Sequence, residues 1–356
     1  MKSWDPVTVL DKSKAMKHHS QVNRRQFLQR TAAIAGTAAG AQVIGMPALL
    51  SAPSPNSKLG IAVIGCSGMG GGNPGVAANE RLVALVDVDE KPLDQAVKKV
   101  EAKAPHPKTY FDYRKMYDEC HQDIDVVLIA TPDHHHAPAA IRAIKLGKAV
   151  FVQKPMAHDI NECYTLAKAA QEHKVLTQMG NQGHYGESIR RVCEYIWAGA
   201  IGNVTEVHAI LGRNFGGSGS RPASKPVPPG VHWDEWLGPA PYREYHDGLH
   251  PFSWRSWRDF GTGTVGDMAC HNLDTLFWAL KLGEAKTYTV ECLNTKGGSA
   301  EMYPQDNVVR WEFAARGGLP PVRVHCYDHG ELRREIMKER EKKYNIKFGE
   351  CTLFVG

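Results

Sequence analysis

The 356-residue sequence predicts an α/β fold in which a doubly wound parallel sheet precedes a second α/β unit built on an antiparallel sheet. Three observations carry this expectation. From Lys58 onward short apolar runs alternate with helix-length stretches, the pattern of a parallel sheet covered on both faces. The first run ends in a glycine-rich turn at Gly65. In the strands from Thr287 onward the runs take a period of two, which suits antiparallel strands.

Residues 1–57 read as an export signal and linker. The twin arginine Arg24-Arg25 precedes a run from Thr31 to Gly45 rich in Ala and Gly, and so resembles a Tat-type export signal. The alternative is an amphipathic helix with a basic first turn. Gly36, Gly40 and Gly45 weaken such a helix, and the run is too short to span a bilayer comfortably. The expectation is therefore an exported protein without a stable membrane span. Pro53, Pro55, Asn56 and Ser57 form the linker.

Residues 58–180 contain strands at Ile61–Ile64, Leu82–Val86, Val126–Ala130, Ala149–Val152 and Val175–Gln178. Helices are expected at Lys91–Lys103, Tyr113–Cys120, Pro138–Leu146 and Ile160–His173. In residues 181–356 a helix near Glu187–Ala198 leads to a strand at Val204–Leu211, then to a Gly/Pro/Trp-rich stretch from Gly212 to Gly266. Irregular segments this long are usually functional or disordered, and its tryptophans at 233, 236, 254 and 257 argue against disorder. Strands follow at Thr287–Leu293, Val308–Ala314 and Val322–Tyr327. The charged segment Leu332–Tyr344 reads as a solvated helix or insertion, and Cys351–Gly356 as a strand beginning, which leaves the second domain open to being incomplete.

A net charge of +5 and a pI near 8.7 come from scattered Lys and Arg rather than a basic stripe interleaved with aromatics, so nucleic acid is not an expected partner. The eight cysteines show no Cys-x-x-Cys spacing, which excludes an evident disulfide framework. His134, His135 and His136 are consecutive, point in different directions on a loop, and predict no metal site.

The loop Gly65-Cys66-Ser67-Gly68-Met69-Gly70 carries the cofactor expectation. At Gly65 the backbone turns sharply out of the first strand, and a side chain would block it. In the dinucleotide fingerprint G-x-G-x-x-G the middle glycine is Ser67, which still offers an amide and a hydroxyl to a phosphate. A glycine-rich turn alone is also a common packing solution. Asp87, about 20 residues on at the end of the second strand, has the spacing of a carboxylate that binds the adenosine ribose. Its charge opposes the extra phosphate of NADP, so NAD is favoured and the segment reads as a Rossmann domain. Asp89 either shares that role or caps the next helix.

Asp125 to Pro132 followed by His134-His135-His136, and Phe151-Val152-Gln153-Lys154-Pro155, resemble motifs of the Gfo/Idh/MocA oxidoreductase family. Trp236 to Pro241, His250-Pro251-Phe252 and Gly266 to His271 agree. The resemblance runs from about residue 58 to 356 and implies a Rossmann domain followed by an open, mostly antiparallel sheet facing the nicotinamide. Lys154 is then the catalytic lysine, although the family's Glu-Lys-Pro is Gln153-Lys154-Pro155 here and the ammonium loses a compensating neighbour. Thr131, Pro132 and His136 are implied to pass along the cofactor. Asp267 and His271, four residues apart, share a helix face. His271 is implied as general base and Asp267 as a substrate-binding or orienting group. His184, Arg213 and Asn214 are candidates to line the substrate cleft. Trp254 and Trp257 read either as sugar-stacking rings or as a local mini-core.

The leading expectation is an exported NAD(P)-dependent dehydrogenase of a sugar, cyclitol or derivative. The same site suits an NAD-dependent glycosidase that oxidises its substrate transiently and eliminates the aglycone. A non-catalytic sugar-binding protein is the third reading. Because open sheets often pack against a partner's, a homo-oligomer is expected.

Overall fold

The computed structural model describes residues 58–328 and 331–356; the expected export signal lies outside them. Strands β1 (Gly60–Ile64), β2 (Arg81–Val86), β3 (Lys108–Tyr110), β4 (Val126–Ile129), β5 (Ala149–Gln153) and β6 (Thr177–Gly180) form a parallel sheet of order β3-β2-β1-β4-β5-β6. Alternate residues of β1 enter different cores. Ala62 and Ile64 pack with Val127, Ile129 and Ala140, whereas Ile61 and Val63 pack with Leu85, Leu93 and Val100. Burial on both faces is why these strands read as continuous apolar runs.

The covering helices are α1 (Asn73–Ala77), α2 (Glu90–Val100), α3 (Tyr113–Cys120), α4 (Asp133–Lys145) and α5 (Ile160–His173). Local signals fix their starts. The Asp89 carboxylate accepts from the Lys91 amide, Asp112 from Arg114, and Asp159 and Glu162 form a reciprocal capping box on α5. Asp89 therefore caps α2. Helix α4 begins at Asp133, ahead of the expected start at Pro138. Pro138 thus sits inside the helix and gives up one backbone hydrogen bond. The additional turn buries Asp133, His134, His135 and His136.

The second sheet contains β7 (Glu206–Ile210), β8 (Tyr288–Lys296), β9 (Asp306–Phe313), β10 (Val322–Tyr327) and β11 (Cys351–Val355), in the order β11-β7-β10-β9-β8. Only β7 and β10 pair in parallel; the other three pairings are antiparallel. Helices α6 (Glu187–Trp197), α7 (Trp233–Leu237), α8 (Gly263–Asn272), α9 (Asp274–Ala279) and α10 (Glu331–Tyr344) complete the described elements. One face of the sheet packs Val207, Phe313 and Val324 against Cys193 of α6 and Leu276 of α9. On the other face Ile210, Val308 and Tyr327 meet Met337 of α10.

The stretch 212–266 is ordered by its aromatics. Trp233, Trp236, Trp254, Trp257 and Phe260 form one core, with Trp233 and Trp236 stacked at 4.7 Å. This core is stitched to the first sheet: the His232 amide donates to the Val88 carbonyl and the Glu90 amide to that of Gly230. Both His134 Nε2 and His135 Nε2 lie within 3.0 Å of the Trp236 carbonyl. The histidine run is therefore a joint between the parallel sheet and the tryptophan core, with every ring nitrogen but His135 Nδ1 turned to a protein carbonyl. Gly238 belongs to the same joint, since a Cβ there would lie 2.1 Å from the His135 ring.

Candidate active site

Strand order reverses between β1 and β4, so their carboxyl ends diverge and open a crevice. A cavity of about 470 Å³ occupies it. Gly65, Ser67, Gly68 and Met69 line one end, Asp87 the wall beside them, Thr131 and Pro132 the middle, and Gln153, Lys154 and Asp267 the far end. Trp236, His250, Trp254 and Arg255 close it from the tryptophan core.

The loop geometry requires glycine at two positions. Gly65 has φ +89°, and a Cβ there would lie 2.4 Å from the Ala130 carbonyl oxygen. At Gly70 a Cβ would lie 2.3 Å from the carbonyl oxygen of Gly65, so Gly70 packs the turn rather than lining the cavity. Asp87 is buried beside this turn. Its Oδ2 accepts from the Cys66 amide at 2.8 Å and its Oδ1 from the Asp89 amide at 3.1 Å. Burial raises its pKa, and the two amide bonds oppose that rise. Each carboxylate oxygen keeps acceptor capacity for a ribose hydroxyl. Bare backbone at the turn and an acidic group beside it fit a dinucleotide.

At the opposite end Lys154 Nζ lies 2.9 Å from Asp267 Oδ2 and donates to the Asp267 carbonyl. Arg255 Nε stands 3.4 Å from Asp267 Oδ1. The Lys154 and Asp267 side chains are 11% and 5% exposed, so this is a buried ion pair. The counter-charge missing at Gln153 is supplied by Asp267. Asp133 lines the same cavity, accepts a hydrogen bond from the Thr262 hydroxyl, and has its pKa pushed up to about 7 by burial.

His271 is half-buried one turn beyond Asp267 on α8, outside the residues lining the cavity. Its Nδ1 lies 2.7 Å from Asn181 Oδ1, and Asn181 Nδ2 donates to the Cys270 carbonyl at 2.8 Å. The second bond orients the amide, so Nδ1 carries the proton and Nε2 keeps its lone pair. Burial, and then the Lys154 ammonium, lower the pKa of His271. Asn181 was not legible as a site residue, because its partners lie 90 and 89 positions away.

Other expected residues stand elsewhere. His136 was expected along the cofactor; it is 1% exposed, with Nδ1 2.7 Å from the Pro155 carbonyl and Nε2 2.9 Å from that of Thr131. It therefore ties the ends of β4 and β5 together from behind the cavity wall. His184 pairs with Asp274 at 3.0 Å and stacks on Trp278, and neither it nor Arg213 or Asn214 lines the cavity. Trp254 does line it, yet is 5% exposed within the tryptophan core, with the Arg255 guanidinium 4.2 Å from its ring.

A doubly wound sheet with a glycine turn, a ribose-type carboxylate and a buried lysine at its switch point defines an NAD-binding oxidoreductase scaffold. The family models agree. Residues 59–181 match the NAD-binding Rossmann fold of the Gfo/Idh/MocA oxidoreductase family and residues 208–311 its C-terminal alpha/beta domain. These segments cover more than half of the sequence, and the chain belongs to this family. It is 29% identical over 207 residues to alpha-N-acetylgalactosaminidase of Shewanella oneidensis, an alignment covering 51% of this chain and 44% of that protein. The chain thus aligns with less than half the length of this curated relative. Among solved structures, GenD2 from gentamicin A biosynthesis in complex with NAD superposes with a TM-score of 0.54 at 21% identity, over 81% of this chain and 68% of that one. Myo-inositol 2-dehydrogenase from Lactobacillus plantarum gives 0.52 at 20% identity, over 77% and 71%. At these identities the likeness is one of fold.

Proposed function

We propose that this protein is an NAD-dependent oxidoreductase acting on a sugar, a cyclitol or a derivative of one. The observation that carries the reading is a single cavity running from the glycine turn and Asp87 to the buried Lys154–Asp267 pair. When bound, NAD supplies the hydride acceptor, or as NADH the donor. Ser67, Gly68 and Asp87, which line the cavity, would hold the dinucleotide. Lys154 binds the reacting hydroxyl oxygen, and its ammonium stabilises charge that develops there in a site shielded from water. Asp267 holds Lys154 in place. His271, with Nε2 unprotonated, takes the hydroxyl proton. Asn181 sets that tautomer.

A second reading, the NAD-dependent glycosidase, draws on two observations. One is the likeness to alpha-N-acetylgalactosaminidase. The other is the segment over the ribose end, where the His232 ring stacks on Phe111 at 3.8 Å and His250 Nε2 lies 2.9 Å from Asp89. These contacts hold the tryptophan-core segment against the ribose end of the cavity, and a cofactor retained there would suit a reaction that returns its hydride within one turnover. Incubation with nitrophenyl glycosides and with free sugars, following NADH absorbance and nitrophenol release separately, distinguishes the readings. NADH formed from a free sugar supports the dehydrogenase, nitrophenol without net NADH overturns it in favour of the glycosidase, and sugar binding without either signal leaves a non-catalytic protein.

We also propose Tat-type export and a homo-oligomer. Arg24 and Arg25 support the first, and changing both to Lys is expected to leave the protein in the cytoplasm. Exposed Tyr288, Val290 and Leu293 on the edge strand β8 support the second, which light scattering tests. No helix among the described residues is long and apolar enough to cross a membrane.

A further inference from the structure

Away from the cavity, the second sheet gathers three metal-ligating side chains. His208 of β7 stands directly opposite His325 of β10, and Glu206 lies two residues before His208 on the same sheet face. Glu206 Oε1 is 3.3 Å from His208 Nε2 and 3.6 Å from His325 Nδ1, and all three ligand atoms fall within 4.8 Å of one another. Those two ring nitrogens are buried and have no hydrogen-bond partner, a condition that asks for an ion or water. Ligands held at about 2.0–2.1 Å around a tetrahedral zinc are separated by about 3.3–3.4 Å, close to the spacing of the two nitrogens from the carboxylate.

The surroundings complete the pattern. His208 Nδ1 lies 2.8 Å from the Tyr327 hydroxyl, which can take its N–H and leave the Nε2 lone pair facing Glu206. The other Glu206 oxygen accepts from Arg340 of α10 at 3.4 Å. The two rings are nearly parallel, with centroids 5.0 Å apart. Bringing both lone pairs onto one ion therefore takes a turn of His325, whose side chain is 13% exposed against 2% for His208.

We propose that Glu206, His208 and His325 form a divalent metal site of the zinc class, with water in the fourth position, that ties β7 to β10. Full-length protein stripped with a chelator and titrated calorimetrically with zinc chloride is expected to take up one equivalent at this site. Glu206→Gln and His325→Ala should each weaken that binding at least about tenfold, as should Tyr327→Phe by releasing the His208 ring. His173→Ala, an exposed histidine on α5, should leave it unchanged. Cobalt added in place of zinc should give the visible absorption of a tetrahedral ion. The proposal is overturned if the wild-type chain takes up no zinc, or if Glu206→Gln, folded by circular dichroism, binds zinc as the wild type does; the pair then bonds directly through an imidazole proton. Because the readout is metal affinity, it is independent of whether the oxidoreductase reading holds.

Discussion

Asn181→Leu removes the amide that sets the tautomer of His271 while keeping side-chain volume. In the structure one bond of 2.7 Å holds the His271 Nδ1 proton and another of 2.8 Å fixes the amide. A neutral hydrogen bond contributes about 0.5–1.5 kcal/mol net, so without it the population of the Nε2-basic tautomer relative to its competitor falls roughly 2- to 13-fold. The plateau of kcat/KM, which follows the fraction in that tautomer, should fall by up to that factor. The pH profile moves as well. His271 already titrates below its ordinary 6.5 because of burial and the Lys154 ammonium, so the acid limb of the wild-type profile lies below 6.5. A carbonyl oxygen favours imidazolium over imidazole, and its loss moves that limb to still lower pH. Asn181→Asp keeps an acceptor for the Nδ1 proton and adds negative charge, so its limb should move to higher pH. Profiles of kcat/KM between pH 5 and 9 for both variants test this. Limbs that stay together, or a plateau in Asn181→Leu equal to wild type, would refute the tautomer argument; a purely structural role would lower stability without separating the limbs.

Lys154→Met deletes the ammonium at the reacting oxygen and should lower kcat by about 10²–10³, the loss expected for one oxyanion-stabilising donor, while NAD affinity measured by calorimetry stays within severalfold. Asp87→Ala should weaken NAD binding roughly 10- to 100-fold and narrow its preference over NADP; an unchanged dissociation constant would contradict the ribose role. Asp328 is buried against Asn307 with its pKa raised from 3.8 to about 7, so its contribution to stability is full below 3.8 and is lost as pH rises to about 7. Asp328→Asn should accordingly stabilise the fold at pH 8 by up to about 4 kcal/mol and have little effect near pH 4, as read from urea unfolding at the two pH values.

What the sequence made legible follows from the range over which each feature is encoded. The apolar strands of the parallel sheet and the cap offered by Asp89 are set by residues within a few positions, and the turn at Gly65 by a backbone conformation only glycine adopts readily. Strand β3 was not legible, since Lys108–Tyr110 is a short edge strand without an apolar run. The tryptophans of the 212–266 stretch showed that it would be ordered but left two roles open; Trp254 and Trp257 are both packed in the aromatic core, and Trp254 also lines the cavity. The triplet of histidines was legible only as an absence of metal spacing, since His134 and His135 meet one carbonyl about a hundred residues away. The same distance limit hid both Asn181 and the Glu206, His208 and His325 set, whose members sit up to 119 positions apart and meet only because β7 and β10 pair in parallel. Parallel pairing needs a long crossover, so side chains that face each other across it carry no local signature. Of the histidines that read as chemistry in the sequence, His136 and His184 are occupied with neighbouring protein groups, while His208 and His325, each with an unpartnered buried nitrogen, lie in strands that read as packing.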